Sequence, residues 1–369
     1  MADPFPYQRP VGPEQVIDRD SETQRLLEFA DGGVLVRLDA PRRYGKTSLV
    51  GRVFHEAEKQ GTVGVLVDLK GVLTLTDVIV RIGRAYSGLR GPLARLVRPV
   101  VSGVEAHLGV QIAGVGAGVR LSAPPRDEET SLFALLDLPR RFTEKGWKQV
   151  IVCFDEFQDV LAVPAADDKM RSIIQHQPEA VSYVFAGSQP RLMNELFATR
   201  ERAFWSQAER VELTPLAAGD CAVYIADRFT ETRKDSGDAL TPLLRTGQGH
   251  PQRTMLLASK LWSHTPARGT ATVETWERAL ADAQLQVEPE LDVVWRNQSQ
   301  TEQRILRAVV LNDGRPYQKP APQAVGVPPG SIDSVTKTLV SETVLRQVEP
   351  GRFEFVDPLL ALYVRDLGV

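Results

Sequence analysis

The sequence predicts an α/β domain built on a parallel sheet of about five strands, followed by a helical domain and a C-terminal winged helix-turn-helix. Three observations support this prediction. Short apolar segments alternate with helical segments over roughly the first 215 residues. A loop that contains glycine and lysine joins the first apolar segment to a helix. From residue 218 onward the pattern is helical, and it ends in two short alternating segments.

Composition excludes several classes of protein. The chain has 369 residues, of which 43% are hydrophobic and 25% charged, which is typical of a folded protein with two or three domains. Its net charge of −3 gives no overall positive field for nucleic acid. Cys153 and Cys221 stand alone, which argues against a disulfide framework or a zinc site. This cysteine usage fits a reducing cytoplasm. Because neither a signal peptide nor a membrane-spanning segment is apparent, we expect no membrane partner.

The first elements form a strand–loop–helix–strand unit. Apolar spacing predicts a helix over residues 21–30 and a strand over residues 34–38. The loop at residues 40–47 follows that strand directly. A helix over residues 48–59 and a strand over residues 63–68 come next, as in parallel α/β domains.

The rest of the α/β domain contains an expected insertion and three further strands. Residues 108–121 alternate apolar with small or polar side chains, which predicts a β-hairpin inserted near residues 106–122. Residues 129–145 read as helical. Nearly continuous apolar runs predict strands buried on both faces at residues 149–154 and 181–186, with a shorter strand at residues 210–213.

The C-terminal part is mainly helical. Four helices are predicted first, at residues 220–232, 239–246, 252–264 and 272–287. Helices at residues 300–311 and 331–340 and a β-wing over residues 344–355 then complete a winged helix-turn-helix. We therefore expect an N-terminal extension (1–16), an α/β domain (17–215), a helical lid (216–290) and a winged-helix domain (291–369).

The loop at residues 40–47, with the sequence Ala-Pro-Arg-Arg-Tyr-Gly-Lys-Thr, predicts a phosphate-binding site. Backbone N–H groups of such a loop, at a helix N-terminus, cradle phosphate oxygens. Lys46 can reach the β- and γ-phosphates, and the Thr47 hydroxyl can ligate Mg²⁺. The first position of the strict G-x-x-x-x-G-K-[ST] pattern is Ala40, a slight departure. The expected phosphate-contacting residues are Ala40, Pro41, Arg42, Arg43, Tyr44, Gly45, Lys46, Thr47 and Ser48.

Two further strands end in polar residues. Asp155 and Glu156 follow the apolar strand at residues 149–154, at the edge where parallel sheets bind ligands. Asp155 can hold Mg²⁺, and Glu156 can polarise the attacking water. Ser188, at the end of the next strand, can hydrogen-bond the γ-phosphate or that water, ahead of Gln189.

An arginine is also expected near the transition-state charge, either from the same chain or from a neighbouring subunit. The candidates follow the strand at residues 181–186: Arg191, Arg200, Arg202 and Arg210. Arg202 is the leading candidate, because it precedes Phe204 and Trp205 in the segment that leads to the last strand. A surface role is the alternative for each of them.

These motifs together resemble the archaeal-type ATPase family, placed near the STAND and origin-recognition-type branches of the AAA+ P-loop NTPases. The resemblance rests on residues 39–49, 155–158, 173–177, 184–188, 249–251 and 355–358. It implies an ASCE-type nucleotide-binding domain with a helical lid and a winged helix. It also implies that Asp18 and Arg19 approach adenine from the N-terminal side, and that His250 and Pro251 contact the nucleotide from the lid.

The function expected from the sequence is Mg²⁺-dependent ATP binding with slow hydrolysis, so that the nucleotide state sets the geometry between domains. ATP is favoured over GTP because no N/T-K-x-D motif follows the last strand. The alternative is a DNA-binding or signalling module in which ATP is a structural ligand. From Thr301 onward the chain contains eight basic and eight acidic residues. This balance of charge lowers the expectation of DNA binding. A protein client or a homo-oligomer also remains open.

Overall fold

The structure is a computed structural model, and it describes residues 2–112, 128–318, 326 and 329–368. A five-stranded parallel sheet forms the centre of the N-terminal half. The strands are β1 (Leu35–Asp39), β2 (Thr62–Asp68), β3 (Gln149–Asp155), β4 (Val181–Gly187) and β5 (Glu209–Glu212). Their order across the sheet is β2-β3-β4-β1-β5. The predicted parallel α/β sheet is therefore confirmed.

Helices cover both faces of this sheet. They are α1 (Asp20–Asp31), α2 (Lys46–Glu58), α3 (Leu75–Ser87), α4 (Gly91–Leu108), α5 (Glu128–Leu136), α6 (Leu138–Glu144), α7 (Ala166–Ile174) and α8 (Pro190–Ala198). Alternate residues of β3 point to opposite faces, so that Ile151 and Cys153 pack with α1 and α2, whereas Val152 and Phe154 join a larger core under α3 to α8. This two-sided burial explains the continuous apolar runs.

The prediction of a β-hairpin at residues 108–121 is wrong for its first residues, 108–112. Leu108 is the last residue of α4, and residues 109–112 belong to no strand. Val97, Val101 and Val104 are buried at helical spacing, and Gly109 ends the helix in a left-handed conformation with φ of 64°. The alternation of apolar and polar residues therefore begins in the last turn of a helix. Residues 113–121 of that prediction lie outside the described residues.

Four helices form the lid: α9 (Ala218–Glu231), α10 (Leu240–Gly247), α11 (Pro251–His264) and α12 (Val273–Arg296). The last helix runs well beyond its expected end at residue 287. Its buried stripe continues through Leu291 and Trp295, which keeps the helix packed past Pro289. The boundary expected between residues 290 and 291 therefore falls inside α12.

The C-terminal unit, residues 300–368, follows at once. It comprises α13 (Gln300–Leu311), α14 (Pro329–Ser341), an antiparallel pair of strands and α15 (Pro358–Asp366). The strands are β6 (Leu345–Glu349) and β7 (Arg352–Phe355). The predicted helices and wing strands are present in this order, whereas α15 was not predicted. No helix in the described ranges is long and apolar enough to cross a membrane.

The lid and the C-terminal unit share one hydrophobic core. Leu243 and Leu261 of the lid belong to the same buried cluster as Ile305, Leu345 and Leu360 of the C-terminal unit. The cores on the two faces of the sheet are separate clusters. The chain therefore packs as an α/β domain beside a joint body of lid and C-terminal unit.

Candidate functional site

The loop between β1 and α2 has the backbone conformation that phosphate binding needs. Gly45 adopts φ of 86° immediately before α2, and a Cβ there would meet nothing within 4 Å. Conformation, and not crowding, therefore favours glycine at this position. The first N–H groups of α2 have no partner within the helix and face an incoming anion. Ala40 is not among the residues with positive φ, so alanine at the first loop position is unstrained.

Lys46 lies at the base of the loop with its side chain only 6% exposed. Its Nζ donates a hydrogen bond to the carbonyl oxygen of Ala40 at 3.3 Å and lies 3.9 Å from Oε1 of Glu156. Burial lowers the pKa of Lys46, while the charges of Glu156 and Asp155 oppose that shift. The ammonium group is thus poorly solvated and has few partners, which favours binding to an anion.

Thr47 and Asp155 lie side by side at the start of α2 and the end of β3. The Thr47 hydroxyl donates to Oδ2 of Asp155 at 2.9 Å. Burial raises the pKa of Asp155, and the charge of Lys46 and this hydrogen bond oppose the rise. A hydroxyl and a carboxylate within one hydrogen bond of each other form a hard-oxygen donor pair that fits Mg²⁺ together with phosphate oxygens.

Glu156 is held in an uncommon backbone conformation, with φ of 52° directly after β3. Its Oε2 accepts hydrogen bonds from the Ser188 hydroxyl at 2.5 Å and from Nε2 of Gln158 at 2.6 Å. Burial acts to raise the pKa of Glu156, but Lys46 and these two hydrogen bonds outweigh it and hold the pKa below its ordinary value. The carboxylate is thus ionised and oriented, with its backbone strain stored at the site.

Gln158 is a site residue that residue-level reasoning from the sequence missed. Its side chain is 1% exposed, and its Oε1 accepts a hydrogen bond from the backbone N–H of Ser188 at 3.4 Å. It therefore ties the ends of β3 and β4 together behind Glu156. A glutamine two residues after the second acid was the only signal in the sequence, and it did not stand out.

A cavity of about 710 Å³ opens between the loop, the lid and the N-terminal segment (residues 2–16). Its wall includes the predicted residues Arg19, Arg42, Arg43, Tyr44, Gly45, Lys46, Thr47, Ser48, Glu156 and Pro251. The predicted residues Asp18, Ala40, Pro41, Asp155, Ser188 and His250 lie outside that wall. Most of the predicted phosphate loop thus faces one cavity, with Asp155 and Ser188 directly behind it.

The predicted adenine-side and lid residues have structural partners. Asp18 accepts a hydrogen bond from the N–H of Ala217 at 2.7 Å, and Arg19 donates to the carbonyl of Thr214 at 2.6 Å. His250 caps α11 and packs edge-on against the Tyr44 ring at 4.9 Å between centroids. Burial lowers the pKa of His250 to about 4, so the ring is neutral near pH 7. These residues hold the N-terminal side and the lid against the loop.

The structure does not bring Arg202 to the cavity of its own chain. Its guanidinium pairs with Glu195 at 2.5 Å and Asp167 at 3.4 Å. Arg210 pairs with Asp39 and Glu212, and Arg200 lies over the Trp205 ring. Acidic neighbours thus already pair with Arg202 and Arg210. None of the four candidate arginines lies in the described wall of this cavity, and Arg202 as the transition-state arginine stays a prediction.

The N-terminal segment crosses the cavity, which the sequence reading did not anticipate. Phe5 is 1% exposed and packs against Phe229 of the lid at 5.6 Å. Asp3 accepts a hydrogen bond from the Ser259 hydroxyl at 2.5 Å, and the N–H of Val11 donates to Oγ of Ser48 at 3.1 Å. The segment thus connects the lid to the phosphate loop. Aromatic residues between prolines were its only signal.

The tip of the phosphate loop also contacts the lid and the C-terminal unit. Arg43 pairs with Glu290 of α12, and Glu290 lies 3.5 Å from Arg253 of α11. Arg253 in turn pairs with Asp357 at 2.5 Å. Beside this chain of ion pairs, the Tyr44 hydroxyl donates to the carbonyl of Val356 at 3.3 Å. Displacement of the loop tip would disturb all of these contacts.

Comparisons with known proteins agree with this fold. Residues 10–77 match the family model described as an AAA-like domain. The structure of the Walker-type ATPase of Pyrococcus abyssi is 17% identical with a TM-score of 0.71, covering 98% of this chain and 99% of that chain. The chain therefore shares the α/β P-loop NTPase fold of that protein. No curated protein matches this sequence.

Two origin-recognition proteins share this fold. The ORC2 protein of Aeropyrum pernix, described with ADPNP and ADP, is 16% identical with a TM-score of 0.60, covering 98% of this chain and 96% of that chain. The ORC1 protein of the same organism, in complex with DNA, is 15% identical with a TM-score of 0.50, covering 96% and 93%.

Proposed function

We propose that the protein binds ATP with Mg²⁺ and hydrolyses it slowly, and that the bound nucleotide sets the geometry between the α/β domain and the lid with its C-terminal unit. The observation that carries the proposal is the convergence of Lys46, Thr47, Asp155 and Glu156 around one loop at the carboxyl edge of a parallel sheet. A strand end alone would be a solvated turn, whereas beside a phosphate loop these groups form an ATPase site.

Each of the site residues has a chemical task in the proposed reaction. Lys46 neutralises charge on the β- and γ-phosphates. Glu156, fixed by Ser188 and Gln158, orients a water and accepts its proton. The water oxygen bonds to the γ-phosphorus while the bond to the β–γ bridging oxygen breaks, and that electron pair leaves with ADP. The products are ADP and inorganic phosphate.

Thr47 and Asp155 would hold the magnesium ion, the first directly and the second directly or through water. No group of three or more His, Cys, Asp or Glu residues suited to a metal occurs in the described part of the chain. Magnesium in such a site takes its other oxygen ligands from phosphates and water, which is consistent with a small protein donor set. Bound Mg²⁺ supplies charge neutralisation on the phosphates.

Two substitutions test this proposal. Lys46→Ala removes the cation of the loop and is expected to abolish nucleotide binding. Glu156→Gln keeps the shape and both hydrogen-bond partners, so it is expected to retain ATP and lose turnover. Arg84→Ala, on the exposed end of α3, is the matched control. Binding is measured with a fluorescent ATP analogue, and turnover by phosphate release with and without Mg²⁺. Native turnover in Glu156→Gln would show that the assigned base is wrong.

The alternative is a DNA-binding or signalling module in which ATP is mainly a structural ligand. The order of elements in the C-terminal unit suits a winged helix, and the ORC1 protein that shares the fold is described with DNA. The charges point the other way, because the basic side chains Arg315, Lys337 and Arg346 pair with Glu349, Asp333 and Glu354. Neutralised cations release few counterions from DNA.

A titration of the chain with duplex DNA at several salt concentrations separates these alternatives. A steep loss of affinity with salt would mark phosphate contacts and favour the DNA-binding module. Undetectable binding at low salt would favour a protein client or a homo-oligomer, which size-exclusion chromatography with and without ATP would examine. We also propose a cytoplasmic location, which the free, buried thiols of Cys153 and Cys221 support.

A further inference from the structure

The cavity wall is rich in cations, but most of them already have partners. Among its arginines, Arg19 pairs with Glu22 at 2.8 Å. Arg43 and Arg253 belong to the chain of ion pairs that reaches Asp357. These side chains hold the loop, the lid and the N-terminal side together. They are not free to follow charge that develops during a reaction.

Arg42 differs from them. It lies on the phosphate loop itself, three residues before Gly45, and it lines the cavity with an exposed side chain. No hydrogen-bond or ion-pair partner of its guanidinium occurs among the residues that the structure describes. An unpaired guanidinium at the edge of an anion site keeps all five donors available.

Arg42 is also close to the reacting groups. It lies on the same loop as Lys46, four residues before it, and it shares the cavity wall with Lys46 and Glu156. Its guanidinium therefore faces the same space as the residue that binds phosphate and the carboxylate assigned to the water. Arg9 lines the same cavity without a described ion pair, but it lies on the N-terminal segment and not on the phosphate loop.

We propose that Arg42 is the arginine that stabilises the transition state of ATP hydrolysis, supplied by the phosphate loop of the same chain. Charge on the γ-phosphoryl oxygens is spread over a plane as the bond to ADP breaks. A planar guanidinium donates two parallel hydrogen bonds to such oxygens. This role takes the place expected for Arg202, and it rests on the proposed ATPase function.

The test separates binding from chemistry. Arg42→Ala is expected to lower kcat by about 100-fold or more, the order found when a charge-stabilising donor is removed. Its affinity for a non-hydrolysable ATP analogue should change by less than about fivefold, because Lys46 and the loop amides remain. Arg42→Lys should restore only part of the rate, since an ammonium cannot make the paired contact. Arg84→Ala is the control and should match the native chain.

Trapping of ADP with aluminium fluoride gives a second readout, because that complex mimics the planar phosphoryl group. The native chain should trap ADP, and Arg42→Ala should release it while still binding ADP alone. Native turnover and native trapping in Arg42→Ala would overturn the inference. So would a variant that loses ATP-analogue affinity in step with kcat, since Arg42 would then bind the ground state.

A mixing experiment tests whether the arginine acts within its own chain. Lys46→Ala retains Arg42 but cannot bind nucleotide. Arg42→Ala binds nucleotide but lacks the guanidinium of Arg42. Their mixture should stay inactive if Arg42 serves its own chain, and recovered turnover would overturn that assignment. If the native chain neither binds nor hydrolyses ATP, the proposed function fails together with this inference. If the native chain hydrolyses ATP and Arg42→Ala matches it, this inference alone fails.

Discussion

Replacing Asp357 by Asn is expected to destabilise the joint body of lid and C-terminal unit. Asp357 accepts three hydrogen bonds from Arg253, at 2.5, 2.9 and 3.1 Å. The Arg253 side chain is 1% exposed and that of Asp357 is 23% exposed. Asn keeps the size of the side chain and its cap on the N–H of Leu359, at 3.0 Å in the native chain. The substitution therefore removes the negative charge, and it replaces the oxygen that accepts the two shorter bonds from Arg253 with an NH2 group, which cannot accept them.

The loss of stability follows from the Arg253 charge, which stays buried without its partner. Removing one partner of a buried ion pair costs about 3–5 kcal/mol, because the other charge stays buried without compensation. Glu290 lies 3.5 Å from Arg253 and is 43% exposed, so it offers partial compensation. We expect a loss near the lower end, about 3 kcal/mol. Arg253→Met should cost less, since the carboxylate of Asp357 that it leaves reaches water.

The assay is urea-induced unfolding followed by tryptophan fluorescence, since Trp262, Trp276 and Trp295 all lie in the lid. A double-mutant cycle with Arg253→Met and Asp357→Asn isolates the pair. The double variant should lose about 2 kcal/mol less free energy of unfolding than the sum of the two single losses. Additivity within about 0.5 kcal/mol would refute the reasoning, because the two side chains would then act independently.

Three further predictions concern neighbouring residues. His250→Asn retains a cap for α11 but cannot titrate. The pKa of His250 in the folded chain, about 4, lies below the ordinary 6.5, so protonation favours the unfolded chain as the pH falls. Between pH 7 and pH 5 the free energy of unfolding of the native chain should therefore fall by about 2 kcal/mol more than that of the variant, measured by denaturation at each pH. Gly249→Ala, at φ of 69° with a Cβ 2.2 Å from the Leu216 carbonyl, should cost about 2 kcal/mol or more, whereas Gly51→Ala, with open space around it, should be neutral or stabilising. Phe5→Ala should lower stability by about 3 kcal/mol and speed release of a fluorescent nucleotide, and an unchanged release rate would contradict a role for the N-terminal segment over the cavity.

The sheet and its reactive edge could be predicted because their causes are local. Apolar runs bounded by turn residues fixed the strands, and carboxyl ends of parallel strands meet at one edge. Lys46, Thr47, Asp155 and Glu156 therefore had to converge once the strands were assigned. Each of them sits within one residue of a strand end or a helix start, where a pattern in the sequence also fixes the position in space.

Other features depend on contacts between distant parts of the chain. The partners of Arg202 are 35 and 7 residues away, and nothing in their spacing marks them as neighbours. Phe5 meets Phe229 across more than 200 residues, so no local pattern announces that the N-terminal segment covers the cavity. At Leu108 an alternation of apolar and polar residues overlapped the end of a helix, and tertiary packing decided in favour of the helix.

The packing also indicates where a nucleotide-driven movement would occur. Because lid and C-terminal unit share one core, and α12 passes through the boundary expected between them, they should move as one body. Their contacts with the phosphate loop are made by Arg43 and Tyr44. Arg43 pairs with Glu290, the Tyr44 hydroxyl donates to the Val356 carbonyl, and the Tyr44 ring packs against His250. Contacts at a loop tip expose little apolar surface when they open, whereas opening a shared core exposes much more. The hinge should therefore lie between β5 and α9, and a change at the phosphate would reach the C-terminal unit as a rigid-body shift.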